Sequence, residues 1–423
     1  MTPERAAAPA RWPRKDFTRI PLSVHVDPEV FENEQLTIFR GKTWNYLGLE
    51  AEIPNPGDFV TNYVGTTPVV LSRGKDGRMH AFVNRCAHRG AQVVREKRGN
   101  AATHTCIYHQ WSYDHQGNLM GVPYRRGING NGGYPADFKP EEHALQGLRI
   151  ESYRGVVFGT FSPDTPPLVQ YMGPQVVQRF DTLLSRPIRV TGYQRQIVRG
   201  NWKLYVENLK DCYHGALLHA FNSKFGMFRT SQRGSTALEN NGLHCVLTTY
   251  GKKDEKMGST YTNISTYKPA FQLEAPEVVE YFPEHEDGMV STVLSLFPTF
   301  VLAEIANHLG FRQVIPKSVD EFELVWINFD YADDRPEHRH TRRLQGNLLG
   351  PGGYLSMEDA EALEIAHAAI KSDHGNGLAY IEMGGRGFEG QDHLVTEVPI
   401  RTFWRGYCDL MGIQVEDNTN AAR

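Results

Sequence analysis

CAHRGAQVVREKRGNAATHTCIYHQWSYD, residues 86–114, holds two short clusters of metal-binding side chains. Cys86 and His88 form the first, Cys106 and His109 the second, with the spacing C-x-H-x17-C-x2-H. Each cluster offers one thiolate and one imidazole. That division suits a Rieske-type [2Fe–2S] centre, where one iron takes both thiolates and the other both neutral imidazoles. Zinc also accepts two Cys and two His, but its usual signature pairs Cys with Cys and His with His. The chain has five cysteines, and an odd count in a long chain argues against a disulfide framework.

Outward from these loops the pattern is one of short strands. WNYLGLEAEI, DFVTNYVG, PVVLSRG and MHAFVNRC precede them and GVVFGTF follows, punctuated by Gly, Pro and Asp. The expectation is a compact antiparallel β domain over 41–160. Arg89, Arg95, Lys97, Arg98, Arg125 and Arg126 make its cluster loops basic. Such a run is either solvated surface or a docking patch for an acidic electron donor. Upstream, MTPERAAAPARWPRKDF reads as a poorly ordered arm without the apolar core of a secretory signal. DPEVFENEQLTIFRGKTW reads as an amphipathic helix with Phe31, Leu36, Ile38 and Phe39 as its apolar residues.

Downstream, ENLKDCYHGALLH (207–219) brings Asp211, His214 and His219 together in the spacing D-x2-H-x4-H. Two imidazoles and a carboxylate are the donor set of a non-haem Fe(II) site. On a helix Asp211 and His214 would share a face, whereas His214 and His219 would not. Convergence of both imidazoles on one metal therefore predicts a π-bulge or a helix break. The bland alternative is a surface helix with ordinary histidines. LSMEDAEALEIAHAAIKS (355–372) predicts a further helix, capped by Ser356 and acidic in its first turn. Between them lies a strand-rich run, and alternation in 307–315 places His308, Arg312 and Val314 on one face. A buried Arg on such a strand needs an anion. An internal salt bridge and a bidentate substrate carboxylate both satisfy that need.

These motifs resemble those of the large (α) subunits of Rieske non-haem iron aromatic-ring-hydroxylating oxygenases, over about residues 20–415. The resemblance implies an α+β chain: an N-terminal antiparallel-β Rieske domain, then a catalytic domain of helix-grip type with an antiparallel sheet. The expected organisation is an arm and helix over 1–40 packing on the catalytic domain, the cluster domain over 41–160, and the iron domain over 161–423. It further implies Cys86, His88, Cys106 and His109 on the cluster, and His214 and His219 on iron. Asp211 matches a bridging aspartate that links an iron-ligand histidine to the Rieske histidine of a neighbouring subunit, the counterpart of His109. The third iron ligand falls in the 355–372 helix, best matched by Asp359, with Glu358 and Glu361 as alternatives.

GLEAEIPNPGDF, NWKLYVENLKD and FRQVIPKS are most similar to the branch acting on anthranilate, salicylate and terephthalate. Within it Arg312 is the candidate clamp for a substrate carboxylate. Terephthalate-type relatives carry a second basic residue where Leu394 stands, so a monocarboxylate is expected, with Arg401 the nearby cation. The implied activity is dioxygenation with O2 and NADH-derived electrons. Anthranilate 1,2-dioxygenation to catechol is the first choice and salicylate hydroxylation the second. Implied partners are a small (β) subunit in an α3 or α3β3 assembly, and an NADH-dependent reductase with or without a ferredoxin.

The 423 residues carry a net charge of −4 and 22% charged residues, giving no argument for nucleic-acid or membrane binding. No apolar run is long enough to span a bilayer, and a cytoplasmic protein is expected. Gly385–Gly390 fits G-x-G-x-x-G, but QDHLVTEVPI after it reads as a strand, not the helix a dinucleotide site requires. A pure Rieske electron carrier is the different-class alternative. Asp211, His214, His219 and Asp359 speak against it.

Overall fold

The computed structural model describes residues 11–251, 270 and 272–416. The chain divides into two compact units, one of Phe39–Leu168 and one formed by the residues up to Ile38 and from Val169 onward.

The smaller unit is built from three antiparallel sheets. Asp58–Val64, Thr67–Arg73, Met79–Val83 and Arg98–Asn100 form the four-stranded one. Arg149–Tyr153, Val156–Thr160 and Asn45–Leu49 form a second. The third holds His104–Thr105, Ser112–Tyr113 and Leu119–Gly121. The first Cys/His loop leaves the end of Met79–Val83, and the second is the hairpin tip between His104–Thr105 and Ser112–Tyr113. Phe59, Phe82, Trp111, Tyr113 and both loop cysteines share one buried cluster beneath them. Apolar burial thus holds the two loops from below.

The larger unit is organised on a seven-stranded antiparallel sheet. Its order is Ile188–Val198, Glu321–Tyr331, His308–Ser318, Phe300–Ile305, Met289–Leu296, His244–Tyr250 and Arg233–Glu239. Sequential hairpins place neighbours in the chain side by side, and only the first strand crosses to pair with the last. Residues 308–316 are buried throughout, as expected of a strand covered on both faces. Helices Trp202–Asn208, Pro336–Leu349 and Tyr354–Ser372 pack against this sheet. No helix among the described residues is long and apolar enough to cross a membrane.

Several local expectations need correction. Residues 1–10 of the arm lie outside the described residues, but Trp12 is buried. Its ring packs 5.1 Å from that of Trp404, and its backbone N–H donates to the Gln414 carbonyl. The next helix spans only Pro28–Glu34 before a π turn at Gln35–Phe39, and that turn rotates Leu36 outward to 53% exposure. Ser356 does not cap its helix: Gly353 stands at the N-cap and Ser356 donates to Gln196. QDHLVTEVPI is not a strand, because Pro399 opens the helix Val398–Met411. That helix starts eight residues after Gly390, so the Gly-rich stretch does not cradle its N-terminus.

Candidate metal centres and substrate cavity

The two Cys/His loops close alike. Gly90 donates to the Cys86 carbonyl and Gln110 to the Cys106 carbonyl, each four residues on. Both turn residues lie at positive φ, +77° for Gly90 and +58° for Gln110. Glycine takes this conformation freely, whereas Gln110 holds it at a steric cost. The Asn84 side chain staples the first loop, donating to the Val94 carbonyl and accepting from the Val93 and Val94 N–H groups. Cys86 and Cys106 are buried, while His88 and His109 are half-buried above them with ring centroids 4.5 Å apart. Trp111 stacks on His88 at 4.9 Å and 7°. Tyr113 Oη lies 3.3 Å from Cys86 Sγ and accepts from the Ala87 N–H. His88 Nδ1 is buried with no hydrogen-bond partner among the described residues. Two thiols below and two imidazoles above, one with an unsatisfied ring nitrogen, suit a [2Fe–2S] group with one His-ligated iron.

The second constellation hangs on a broken helix. Asn201 caps Trp202–Asn208, accepting from Lys203 N, and the helix ends before Asp211. Asp211 Oδ1 then accepts from the Tyr213 and His214 N–H groups and shapes a turn. A 3-10 turn at His214–Ala216 and a new helix at Ala220–Phe225 follow. The required break is therefore present, and Asp211 meets His214 through a turn rather than a shared helix face. His214, His219 and Asp359 offer ligand atoms that all lie within 4.8 Å of one another. His214 Nε2 is 3.4 Å and His219 Nε2 3.1 Å from Asp359 Oδ1.

Each imidazole is backed by a carboxylate on its other nitrogen. Asp211 Oδ2 lies 3.2 Å from His214 Nδ1, and Glu358 Oε2 lies 2.7 Å from His219 Nδ1. Glu358 therefore stands behind an imidazole, outside the convergent triad, and Glu361 is not among its residues. Burial opposes the charged form of His214, but Asp211 and Asp359 outweigh it and push its pKa up to about 10. Burial also opposes ionisation of Asp359, yet bonds to both imidazoles hold its pKa far below the usual carboxylate range. His219 Nε2 is buried and, 3.1 Å from Asp359 Oδ1, is aimed at the acid without a well-aligned hydrogen bond, as fits a metal ligand. Two imidazoles and one carboxylate within 4.8 Å of one another are the donor set of non-haem Fe(II) oxygenases.

A cavity of about 110 Å3 opens beside the triad. It is close to the ~150 Å3 that holds a benzene ring. Arg312 lines it, 3% exposed, with its guanidinium 3.9 Å over the Trp326 ring. One nitrogen donates to Tyr205 Oη at 3.4 Å, while Nε and Nη2 have no partner among the described residues. The internal salt bridge considered from sequence is thus absent among the described residues. Leu394 lines the cavity, but Arg401 does not. Arg401 is fully buried and donates to the Ile381, Met383 and Gly387 carbonyls.

Sequence reasoning missed two asparagines here. Asn208 Nδ2 donates to Asp359 Oδ1 at 3.1 Å and lies 3.3 Å from His214 Nε2. Asn222 lines the cavity. The only signal for either was a polar residue beside the histidine box.

Both parts of the chain match known domain families. Residues 43–132 match the Rieske [2Fe-2S] domain, and residues 181–412 match the catalytic domain of the ring hydroxylating alpha subunit. The chain belongs to the aromatic ring-hydroxylating oxygenase large (alpha) subunits, oxidoreductases whose cofactors are a Rieske [2Fe–2S] cluster and a mononuclear non-haem iron. It is 46% identical over 408 residues to the anthranilate 1,2-dioxygenase large subunit of Burkholderia cepacia, covering 96% of each chain. It is 41% identical to the alpha 2 subunit of the terephthalate 1,2-dioxygenase terminal oxygenase component of Comamonas sp, covering 96% of this chain and 98% of the relative. Naphthalene 1,2-dioxygenase from Rhodococcus sp. shares the fold with a TM-score of 0.77 at 23% identity, over 93% of this chain and 94% of that one.

Proposed function

We propose that this chain is the large subunit of an anthranilate 1,2-dioxygenase. Anthranilate, O2, NADH and two protons give catechol, CO2, ammonia and NAD+, with NADH oxidised by a separate reductase. The observation that carries this reading is Arg312, a buried guanidinium beside the triad with two donor atoms unpartnered. A carboxylate accepts from both, and no other side chain of this cavity offers a comparable cation. The relative at 46% identity supports the substrate assignment. Leu394 in the cavity wall and Arg401 tied to carbonyls favour a monocarboxylate over a terephthalate-like dicarboxylate.

In this reading His214, His219 and Asp359 would hold the iron, which would supply the binding and activation of O2. Asp211 and Glu358 hold the two imidazoles in one tautomer and orientation. Arg312 fixes the acid end of the ring so that the reacting carbons face the triad. Cys86, His88, Cys106 and His109 hold the cluster, and Asp211 joins His214 to the Rieske histidine of a neighbouring subunit within an α3 or α3β3 assembly. Arg89, Arg95, Lys97, Arg98, Arg125 and Arg126, in or near the cluster loops in sequence, are exposed. They receive an acidic ferredoxin or reductase, and charge reversal at Arg95 and Arg98 should weaken the salt dependence of cluster reduction.

The test is product formation by the purified oxygenase with donor proteins and NADH, on anthranilate and salicylate in parallel. Catechol with stoichiometric ammonia is expected from anthranilate. Ring-hydroxylated salicylate with anthranilate inert would move the function to salicylate hydroxylation.

A further inference from the structure

The polar groups of the iron cavity divide into those already satisfied and those left for a ligand. Asn208 is bound to Asp359, and Asp211 to His214 and two backbone N–H groups. The hydroxyls of Thr249 and Ser291 donate to the Ser291 and Glu304 carbonyls. The Cys212 thiol faces the Thr396 carbonyl at 3.8 Å. Besides the triad imidazoles, two lining residues keep buried polar atoms without a partner among the described residues. They are Arg312, through Nε and Nη2, and Asn222, through Oδ1.

Asn222 is 3% exposed, on the short helix Ala220–Phe225 that follows His219. Its Nδ2 donates to the Gly215 carbonyl at 3.4 Å, which sets the amide so that the oxygen is the unpaired end. A buried amide oxygen left unpaired costs about 1–3 kcal/mol. The cavity therefore asks for a ligand that brings an anion to Arg312 and a hydrogen-bond donor to Asn222.

Resting on the aromatic-acid reading above, we infer that Asn222 reads the ortho substituent and selects an amine over a hydroxyl. In salicylate the single hydroxyl proton is held by the neighbouring carboxylate. Anthranilate has two N–H bonds: one faces its own carboxylate, and the second is free for Asn222 Oδ1. Benzoate and 2-fluorobenzoate offer no donor at all. Asn222 is thus a specificity-determining residue that touches substrate, and its contribution falls on ligands with a spare N–H.

The test is calorimetric titration of the anaerobic, metal-loaded oxygenase with anthranilate, salicylate, benzoate and 2-fluorobenzoate. Unchanged enzyme is expected to bind anthranilate about tenfold or more tightly than the other three. Asn222→Leu removes the acceptor at similar volume and is expected to close that gap, weakening anthranilate far more than benzoate. Asn222→Ala serves where the Leu variant does not fold. Equal binding of anthranilate and 2-fluorobenzoate by unchanged enzyme overturns the inference, as does a gap that survives in the variant. Either result leaves the aromatic-acid reading standing. If no acid binds the unchanged enzyme, that reading falls and this inference with it.

Discussion

Replacing Arg312 by Leu separates its two possible roles by sign. Arg312 is 3% exposed, forms no ion pair among the described residues, and keeps only a 3.4 Å bond to Tyr205 and a stacking contact on Trp326. A guanidinium that stabilised the fold through a buried ion pair would cost about 3–5 kcal/mol on removal. That cost lowers Tm by roughly 6 °C or more in a domain of this size. A guanidinium held ready for a ligand behaves oppositely, because its desolvation is uncompensated until the ligand arrives. Arg312→Leu should therefore leave Tm unchanged or raised. Two charge-assisted bonds to a carboxylate, at about 1.5–3 kcal/mol each, amount to roughly 3–5 kcal/mol after losses. The expected change is a rise of about 10^2- to 4 × 10^3-fold in KM or Kd for anthranilate. Calorimetric melting and substrate titration on the same preparation read both quantities. A fall in Tm of roughly 6 °C with KM moved less than about tenfold would refute the clamp.

With iron supplied in excess, Asp211→Ala should leave both metal centres loaded, by iron analysis and visible spectrum, while single-turnover product formation stops; full activity would remove the bridging role. Glu358→Ala frees His219 Nδ1, and iron affinity should drop about 10–100-fold with the cluster spectrum intact. Competition with a chelator measures it, and unchanged affinity would show that Glu358 does not orient the ligand. Burial pushes Glu207 up to about 8, partly offset by the Trp404 N–H. With its folded pKa above the unfolded value near 4.5, Glu207 favours folding most at low pH, and that stability is lost as pH rises through about 8. Glu207→Gln, which stays neutral and can still accept from Trp404, should flatten the decline in Tm between pH 5 and pH 8 by an amount equivalent to about 4 kcal/mol at most. A variant whose Tm falls as steeply as the parent's would refute that assignment.

Local spacing made the metal chemistry legible. The C-x-H-x17-C-x2-H pattern needs only that two hairpin-like turns stand side by side, and strands flanking each turn are written in the same stretch. The helix break between His214 and His219 was likewise forced by a five-residue spacing that no regular helix aligns. Boundaries were less legible where tertiary contacts override local pattern. Trp12 is buried because Trp404, almost four hundred residues away, offers it a ring. QDHLVTEVPI alternates like a strand, yet Pro399 suits the first turn of a helix and its neighbours bury that way.

The sequence alone determined the donor types, their order and the class of chemistry, because metal ligation depends on side-chain identity within short loops. The family resemblance placed the third ligand on one helix, with Asp359 the best match and Glu358 and Glu361 as alternatives, because three acids stand within four residues there. Only the tertiary structure separated Asp359, turned into the triad, from Glu358, turned onto His219 Nδ1. The same holds for the cavity. Whether Arg312 is paired, and whether the Asn222 oxygen is satisfied, depends on which atoms the sheet, the broken helix and the Tyr354–Ser372 helix bring within hydrogen-bond reach. Those distances follow from packing between segments a hundred or more residues apart, and no local pattern encodes them.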